Sequence, residues 1–266
     1  MRSNVGRVGD VPDGVAARVR GLLEHGLLGA GEPDHGGGED PGRDLDYALD
    51  GWHVGVIAVG AQSGWVVREL AERVGCRLLC VERGEDSVWA WLGADGRFAL
   101  AAVERLLAGG GIARRESRPA VGEGLLFAFG EPARGFRGWR LTHRQAQAAL
   151  LVARRRPRPC TRYGDVALLA SALKDELLAG TLLDVYLAPL QDARNNGAVL
   201  RQTLRSYLAT ERSVSSTAAA LGVVRKTVAN RLRTIEERLG RTLHPFPAEL
   251  EIALLLDELA PTPPAR

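Results

Sequence analysis

The spacing of apolar residues changes once along this chain of 266 residues, near Tyr163. Before that point, short runs rich in β-branched and aromatic residues alternate with segments whose apolar residues recur every three or four positions. After it, every patterned segment has the helical period, and no strand pattern intervenes. The sequence therefore predicts an α+β domain followed by an all-α domain.

The part before Tyr163 predicts the order strand, helix, strand, strand, helix, strand, helix. This order is typical of a ferredoxin-like sandwich, in which helices cover one sheet. The predicted strands are 52–59, 77–81, 87–92 and 125–129. The predicted helices are 63–74, 98–107 and a third helix that Thr142 caps and that runs through Val152.

The part after Tyr163 predicts helices separated by Gly180 and by the turn Asn195-Asn196-Gly197. These helices are 165–179, 182–190, 199–208, 215–221, 227–239 and 248–259. Near the N-terminus we predict a short helix at 15–28 and a linker at 31–43, where Gly, Pro and acidic residues leave little to pack.

Together these patterns predict five segments. They are an N-terminal helix and flexible linker at 1–50, an α+β domain at 51–164, a helical connector at 165–194, a helix-turn-helix domain at 195–260 and a disordered tail at 261–266.

Composition excludes several classes of function. No apolar run approaches the roughly 20 residues that cross a bilayer, and we do not expect the charged segment 1–13 to be a secretory signal. The three cysteines and five histidines have neither disulfide nor zinc spacing. We therefore expect no membrane partner, no metal site and a cytoplasmic location.

The segment 214–233, VSSTAAALGVVRKTVANRLR, carries the main functional signal. Either Ser213 or Ser215 can cap a short helix, and Gly222 can supply the positive φ that ends it. Ala218 is small enough to let a second, basic helix approach closely. A short helix, a glycine turn and a longer basic helix form a helix-turn-helix, whose second helix enters the major groove of DNA.

The outward face of that second helix carries side chains that bind bases and phosphates. Arg and Lys donate to guanine, Asn can pair with adenine, and the N-terminal residues of a recognition helix reach the bases. Between Val199 and Leu243, nine Arg or Lys stand against three Glu, as a phosphate-facing surface requires. An ordinary helical hairpin with a solvated basic face is the alternative. The predicted base contacts are Arg225, Lys226 and Asn230, and the predicted phosphate contacts are Thr227, Arg231 and Arg233.

Four sequence motifs follow one another in the last quarter of the chain. They are TLRSYL at 203–208, an alanine-rich helix at 215–221, RKTVANRLRTIE at 225–236 and a leucine-rich run at 250–255. This quarter of the chain resembles the C-terminal domain of PucR/CdaR-type bacterial transcription regulators. The resemblance implies a DNA-binding helix-turn-helix. Two positions depart from the family pattern, since Val224 stands where His is usual and Lys226 where Asn is usual.

The preceding half carries a second resemblance. GEP at 130–132, GFRG at 135–138 and the segment 142–149 resemble the GGDEF-like domain found before the helix-turn-helix in these regulators. Such domains look like degenerate relatives of nucleotide cyclases, whose chemistry needs clustered carboxylates. Here GGGIA at 109–113 holds no acid, and Glu123 is alone between two glycines. We therefore predict no catalytic residues and no cofactor, and a role for this domain in dimerisation or in sensing a small-molecule effector.

These features predict a sequence-specific regulator that binds double-stranded DNA as a homodimer. One recognition helix contacts only a few base pairs, so two half-sites add affinity and specificity. A low-specificity architectural DNA binder of the Fis-like kind is one alternative. A small-molecule-binding α/β domain with a helical oligomerisation tail is the other.

Overall fold

The chain folds into two compact units, Met1–Ala167 and Leu168–Arg266. The computed structural model describes residues 13–24, 45–84, 86–97, 100–108, 124–191 and 196–259. The predicted fold class is confirmed, because the first unit is α+β and every described element of the second is helical. The predicted linker at 31–43, the glycines at 109–111 with Glu123, and the tail at 261–266 lie outside the described residues.

A single sheet organises the first unit. Its four main strands are β1 (Trp52–Val59), β2 (Arg77–Glu82), β3 (Ser87–Ala94) and β4 (Leu126–Phe129). They lie in the order β2-β3-β1-β4 with antiparallel neighbours, which is the ferredoxin-like arrangement. Each predicted strand lies within two residues of the observed one.

Two short strands extend the sheet beyond the prediction. Strand β5 (Ala133–Arg134) pairs with the start of β1, and β6 (Cys160–Arg162) lies parallel to β4. Segments of two and three residues are too short to show an alternating pattern, so sequence alone gave no signal for them.

Helices cover both faces of the sheet. The described helices that lie wholly within this unit are α1 (Asp13–Glu24), α2 (Ser63–Val74), α3 (Leu100–Ala108) and α4 (Gly135–Arg155). The side chains of Val54, Val56 and Ala58 point from β1 into a core shared with α2 and α3. The opposite face packs against α4 and, through the buried Val19, against α1.

The beginning of α4 corrects the prediction that Thr142 caps this helix. The helix begins at Gly135, seven residues earlier, and Thr142 is a buried interior residue whose Oγ1 accepts the backbone N–H of Gly55. Gly135 and Gly138 concealed the first two turns, because glycine disfavours helix. Gly138 has a packing reason, since a Cβ there would lie 2.7 Å from the backbone carbon of Ala133.

Aromatic rings fill the space between the sheet and α4. The buried Trp91 stacks on Trp139 with ring centroids 4.6 Å apart, and its Nε1 donates to the Trp139 carbonyl over 2.9 Å. His143 lies 4.9 Å from Trp91 and 4.6 Å from Trp89, centroid to centroid. Burial lowers the pKa of His143 to about 4, so the imidazole is neutral near pH 7.

The second unit begins within α5 (Tyr163–Ala172) and continues with five further described helices. They are α6 (Glu176–Tyr186), α7 (Gly197–Ala209), α8 (Val214–Leu221), α9 (Arg225–Leu239) and α10 (Ala248–Leu259). The last four were predicted to within two residues at each end. No helix in the described part of the chain is long and apolar enough to cross a membrane.

The connector differs from its predicted form. The single helix predicted at 165–179 is two helices, because Asp175 interrupts it and caps α6 by accepting the Leu178 N–H over 3.0 Å. Gly180 lies inside α6 and not between helices. The helix predicted at 182–190 ends at Tyr186, after which Pro189 lies in a short 3₁₀ turn.

Candidate nucleic-acid interface

Helix α8 is closed at both ends by local hydrogen bonds. Of the two serines that could cap it, Ser213 does so, because its Oγ accepts the Ser216 N–H over 3.2 Å. At the other end Gly222 has φ +64°, as predicted, and the next N–H, that of Val223, donates to the Ala218 carbonyl over 3.0 Å. This Schellman-type turn sets the direction in which the chain enters α9.

The inner face of α9 is held in a small core. Val228 and Ile235 are fully buried on it, and Ala218 is 4% exposed on α8. Leu232, one turn after Val228, is only half-buried. Two fully buried side chains therefore hold α9 in the core, and several other positions on the helix are half-buried.

Hydroxyl groups tie α7 to both helices of the pair. Thr203 is fully buried on α7, where its Oγ1 donates to the Val199 carbonyl over 2.8 Å and accepts from Arg231 Nη1 over 3.3 Å. Near the end of α7, Thr210 Oγ1 lies 2.8 Å from Oγ1 of the buried Thr217 on α8. Buried hydroxyls with partners on two elements fix how those elements pack.

Ion pairs join α7 to α10. Arg205 pairs with Asp257 and, at 3.4 Å, with Glu258, while Arg201 lies 3.7 Å from Asp257. Arg201 also donates to the Leu190 carbonyl over 3.1 Å. Both arginines are among the nine Arg or Lys residues counted between Val199 and Leu243. Their charges are neutralised by Asp257 and Glu258, which lie outside that segment. The sequence count therefore overstates the charge available to phosphates.

The end of α9 is anchored by polar contacts. Glu236 Oε1 accepts the Leu243 N–H over 2.8 Å, which holds the chain that follows Gly240. Arg241 donates to the Tyr186 hydroxyl over 2.8 Å and lies 4.8 Å from the centre of that ring. These contacts stabilise the C-terminal end of α9, opposite its N-terminal turn.

The predicted contact residues divide into two groups. Arg225, Lys226, Asn230 and Arg233 are exposed, whereas Thr227 and Arg231 are half-buried. Arg233 Nη2 lies 3.3 Å from Asn230 Oδ1, so these two side chains stand together one turn along the helix. An amide oxygen has two lone pairs, so Asn230 keeps acceptor capacity as well as its N–H donors.

Arg231 has a different environment from the other cations of α9. Its Nη1 donates to Thr203 on α7, so part of its guanidinium is already engaged inside the unit. Its phosphate contact stays a prediction.

Sequence analysis identified Val224 only as a departure from the family pattern and did not predict that it is exposed at the start of α9. Val224 precedes the first helical residue, has extended backbone angles (φ −78°, ψ 151°) and is 69% exposed. A single valine leaves no periodic signal, so its exposure could not be predicted. No group of three or more His, Cys, Asp or Glu that could hold a metal occurs among the described residues.

A capped short helix, a glycine turn and a second helix with an exposed basic face define this part of the chain as a helix-turn-helix DNA-binding domain. Its residues 200–256 match the family model of the PucR C-terminal helix-turn-helix domain. Residues 29–152 match the family model of the GGDEF-like domain. The chain therefore carries the two domains of the PucR/CdaR-type bacterial transcriptional regulators, and the resemblance seen in the sequence is confirmed.

Among solved structures, the chain is similar to the crystal structure of a regulator of polyketide synthase expression from Bifidobacterium adolescentis. The sequences are 17% identical, the TM-score is 0.38, and the match covers 81% of this chain and 88% of that one. No curated protein matches the chain.

Proposed function

We propose that the protein regulates transcription by binding a specific double-stranded DNA sequence as a homodimer. The observation that carries this proposal is the division of α9 into two faces. Val228 and Ile235 fix one face in the core, while Arg225, Lys226 and Asn230 are exposed on the other. A rigid helix that presents guanidinium, ammonium and amide groups matches the donor and acceptor pattern of the major groove.

Within α9 the roles divide along the helix. Arg225 and Lys226 occupy its first turn, where recognition helices reach base edges, and their donors suit guanine. Asn230 is placed one turn further, where its amide suits adenine. We assign Thr227, Arg231 and Arg233 to phosphates, which position the helix without reading sequence.

Two copies are required by the size of the contact. One recognition helix reads only a few base pairs, and two-fold dimers read half-sites about one helical turn apart. We therefore expect a palindromic site with half-site centres separated by about 10 base pairs or a multiple of that. The GGDEF-like domain then serves dimerisation or responds to a small-molecule effector, and the protein acts in the bacterial cytoplasm.

The test is selection of genomic DNA fragments by the full-length protein at near-physiological salt. Wild type is compared with the double variant Arg225→Ala/Asn230→Ala, with Arg105→Ala as the matched control, since Arg105 is an exposed arginine of α3. We expect wild type and control to enrich one palindromic site that the double variant loses. Light scattering of the complex on that site measures the number of copies bound.

Three results would contradict the proposal in different ways. Uniform, salt-sensitive binding to all fragments indicates an architectural protein. Specific binding by a single copy contradicts the dimer alone. No binding by wild type moves the function to the first unit, where nucleotide or metabolite binding would then be measured.

A further inference from the structure

We propose that Val224 contributes to sequence recognition by contacting the 5-methyl group of a thymine in each half-site. The proposal rests on the proposed function, since it concerns DNA that α9 binds. Among the described residues of 196–259, Val224 is the one large apolar side chain that is exposed, at 69%. The side chains that follow it, Arg225 and Lys226, are also exposed.

The backbone holds Val224 firmly in this position. Its carbonyl accepts the Thr227 N–H over 2.9 Å and the Val228 N–H over 3.4 Å, so the residue is tied to the first turn of α9. Valine is β-branched and has few accessible rotamers. Its two methyl groups therefore keep a nearly constant position relative to the helix, and ordering them on DNA loses little entropy.

Valine at this position does not serve the helix itself. The residue before the first helical turn is favoured as Ser, Thr, Asp or Asn, whose side chain accepts a backbone N–H. Val224 makes no such bond, and the cap of α9 has no side-chain acceptor. By contrast, α8 is capped by Ser213. Val224 therefore does not stabilise the helix as a cap. An exposed valine at this position is explained if its methyl groups contact an apolar group of a bound partner.

The major groove offers one apolar group among its base edges, the methyl of thymine. A side chain at the entrance of a recognition helix is placed among the residues that reach base edges. Val224 therefore complements its neighbours, since Arg225 and Lys226 favour guanine and a methyl contact favours thymine.

The experiment removes only the methyl group from DNA. The site enriched by wild type is synthesised with uracil replacing thymine, one position of the half-site at a time and symmetrically in both halves. Binding is measured for wild type, for Val224→Ala and for the matched control Val185→Ala, which shortens an exposed valine of α6.

At one thymine position we expect uracil to weaken wild-type binding by about fourfold per half-site, the effect of one buried methyl group. The Val185→Ala control should show the same loss. Val224→Ala should bind the thymine site more weakly than wild type and be insensitive to uracil at that position.

Two results would overturn this inference while leaving the proposed function intact. One is specific wild-type binding that no uracil substitution weakens. The other is a uracil effect of equal size in wild type and in Val224→Ala, which would assign the methyl contact to another residue. If wild type selects no site at all, the proposed function fails and this inference fails with it.

Discussion

At the scale of single residues, burial controls the protonation of His143. The ring lies between Trp91 and Trp89, and burial, with a smaller effect of the nearby Arg83, lowers its pKa from 6.5 to about 4. The unfolded chain therefore binds a proton at a higher pH than the folded protein does. The stabilising contribution of the neutral imidazole is fully present above pH 6.5 and is lost as the pH falls toward 4.

This difference predicts acid sensitivity of the first unit. Between pH 7.5 and pH 5, His143 should lower the free energy of unfolding by about 2 kcal/mol. The measurement is urea denaturation followed by tryptophan fluorescence, since all five tryptophans belong to this unit. The His143→Gln variant is the reference, because His53 is also buried with a lowered pKa and contributes its own pH dependence. Equal pH dependence in wild type and variant would show that His143 has no such effect.

At the scale of elements, close contact between backbones decides how α4 lies on the sheet. A Cβ added to Gly55 on β1 would lie 2.6 Å from Thr142 Oγ1 and 2.7 Å from the His143 nitrogen. Gly130, after β4, likewise faces the backbone of Thr142. Glycine at these positions allows the helix to lie directly on the strands.

The prediction for this packing is that Gly55→Ala destabilises the first unit by about 3 kcal/mol, since α4 must move to accept the methyl group. Gly96→Ala is the matched control, because a Cβ there meets nothing within 4 Å. Tryptophan fluorescence during urea denaturation reports both variants. A Gly55→Ala protein as stable as the control would mean that α4 does not lie where the structure has it.

Such contacts also explain which elements sequence analysis identified. The strands β1 to β4 and the helices α7 to α10 follow from apolar spacing and turn residues within each segment. The first two turns of α4 contain Gly135 and Gly138, which disfavour helix locally. They are helical because the sheet packs against them, and that contact joins residues far apart in the chain.

At the scale of the whole molecule, DNA binding depends on where the positive charges are exposed more than on the net charge of the chain. The chain has a formal net charge of +3 at pH 7, which alone does not indicate nucleic-acid binding. Arg201 and Arg205 are neutralised by Asp257 and Glu258, so their side chains hold α7 against α10. The exposed cationic side chains of α9 carry the positive surface charge that we propose contacts DNA.

Arg233 allows that assignment to be measured. If it contacts one phosphate per half-site, Arg233→Ala should weaken binding to all sequences alike and reduce the slope of log K against log salt by about 1 for each copy bound. Lys174→Ala, which removes an exposed lysine between α5 and α6, should leave the slope unchanged. A loss of sequence preference in Arg233→Ala, with an unchanged slope, would instead indicate a base contact.

The sequence by itself determined the fold class, the position of the helix-turn-helix and the family to which its two domains are related. These properties depend on features that are local in the sequence. They are the spacing of apolar residues, the turn glycine Gly222, and the basic residues spaced to lie on one face of α9. Only the tertiary structure decided which Arg and Lys side chains are exposed and at which residue α4 begins. It also decided that the Val224 side chain is exposed to solvent beside Arg225. Each of those depends on residues distant in sequence, and burial and ion pairing are settled only when those residues meet.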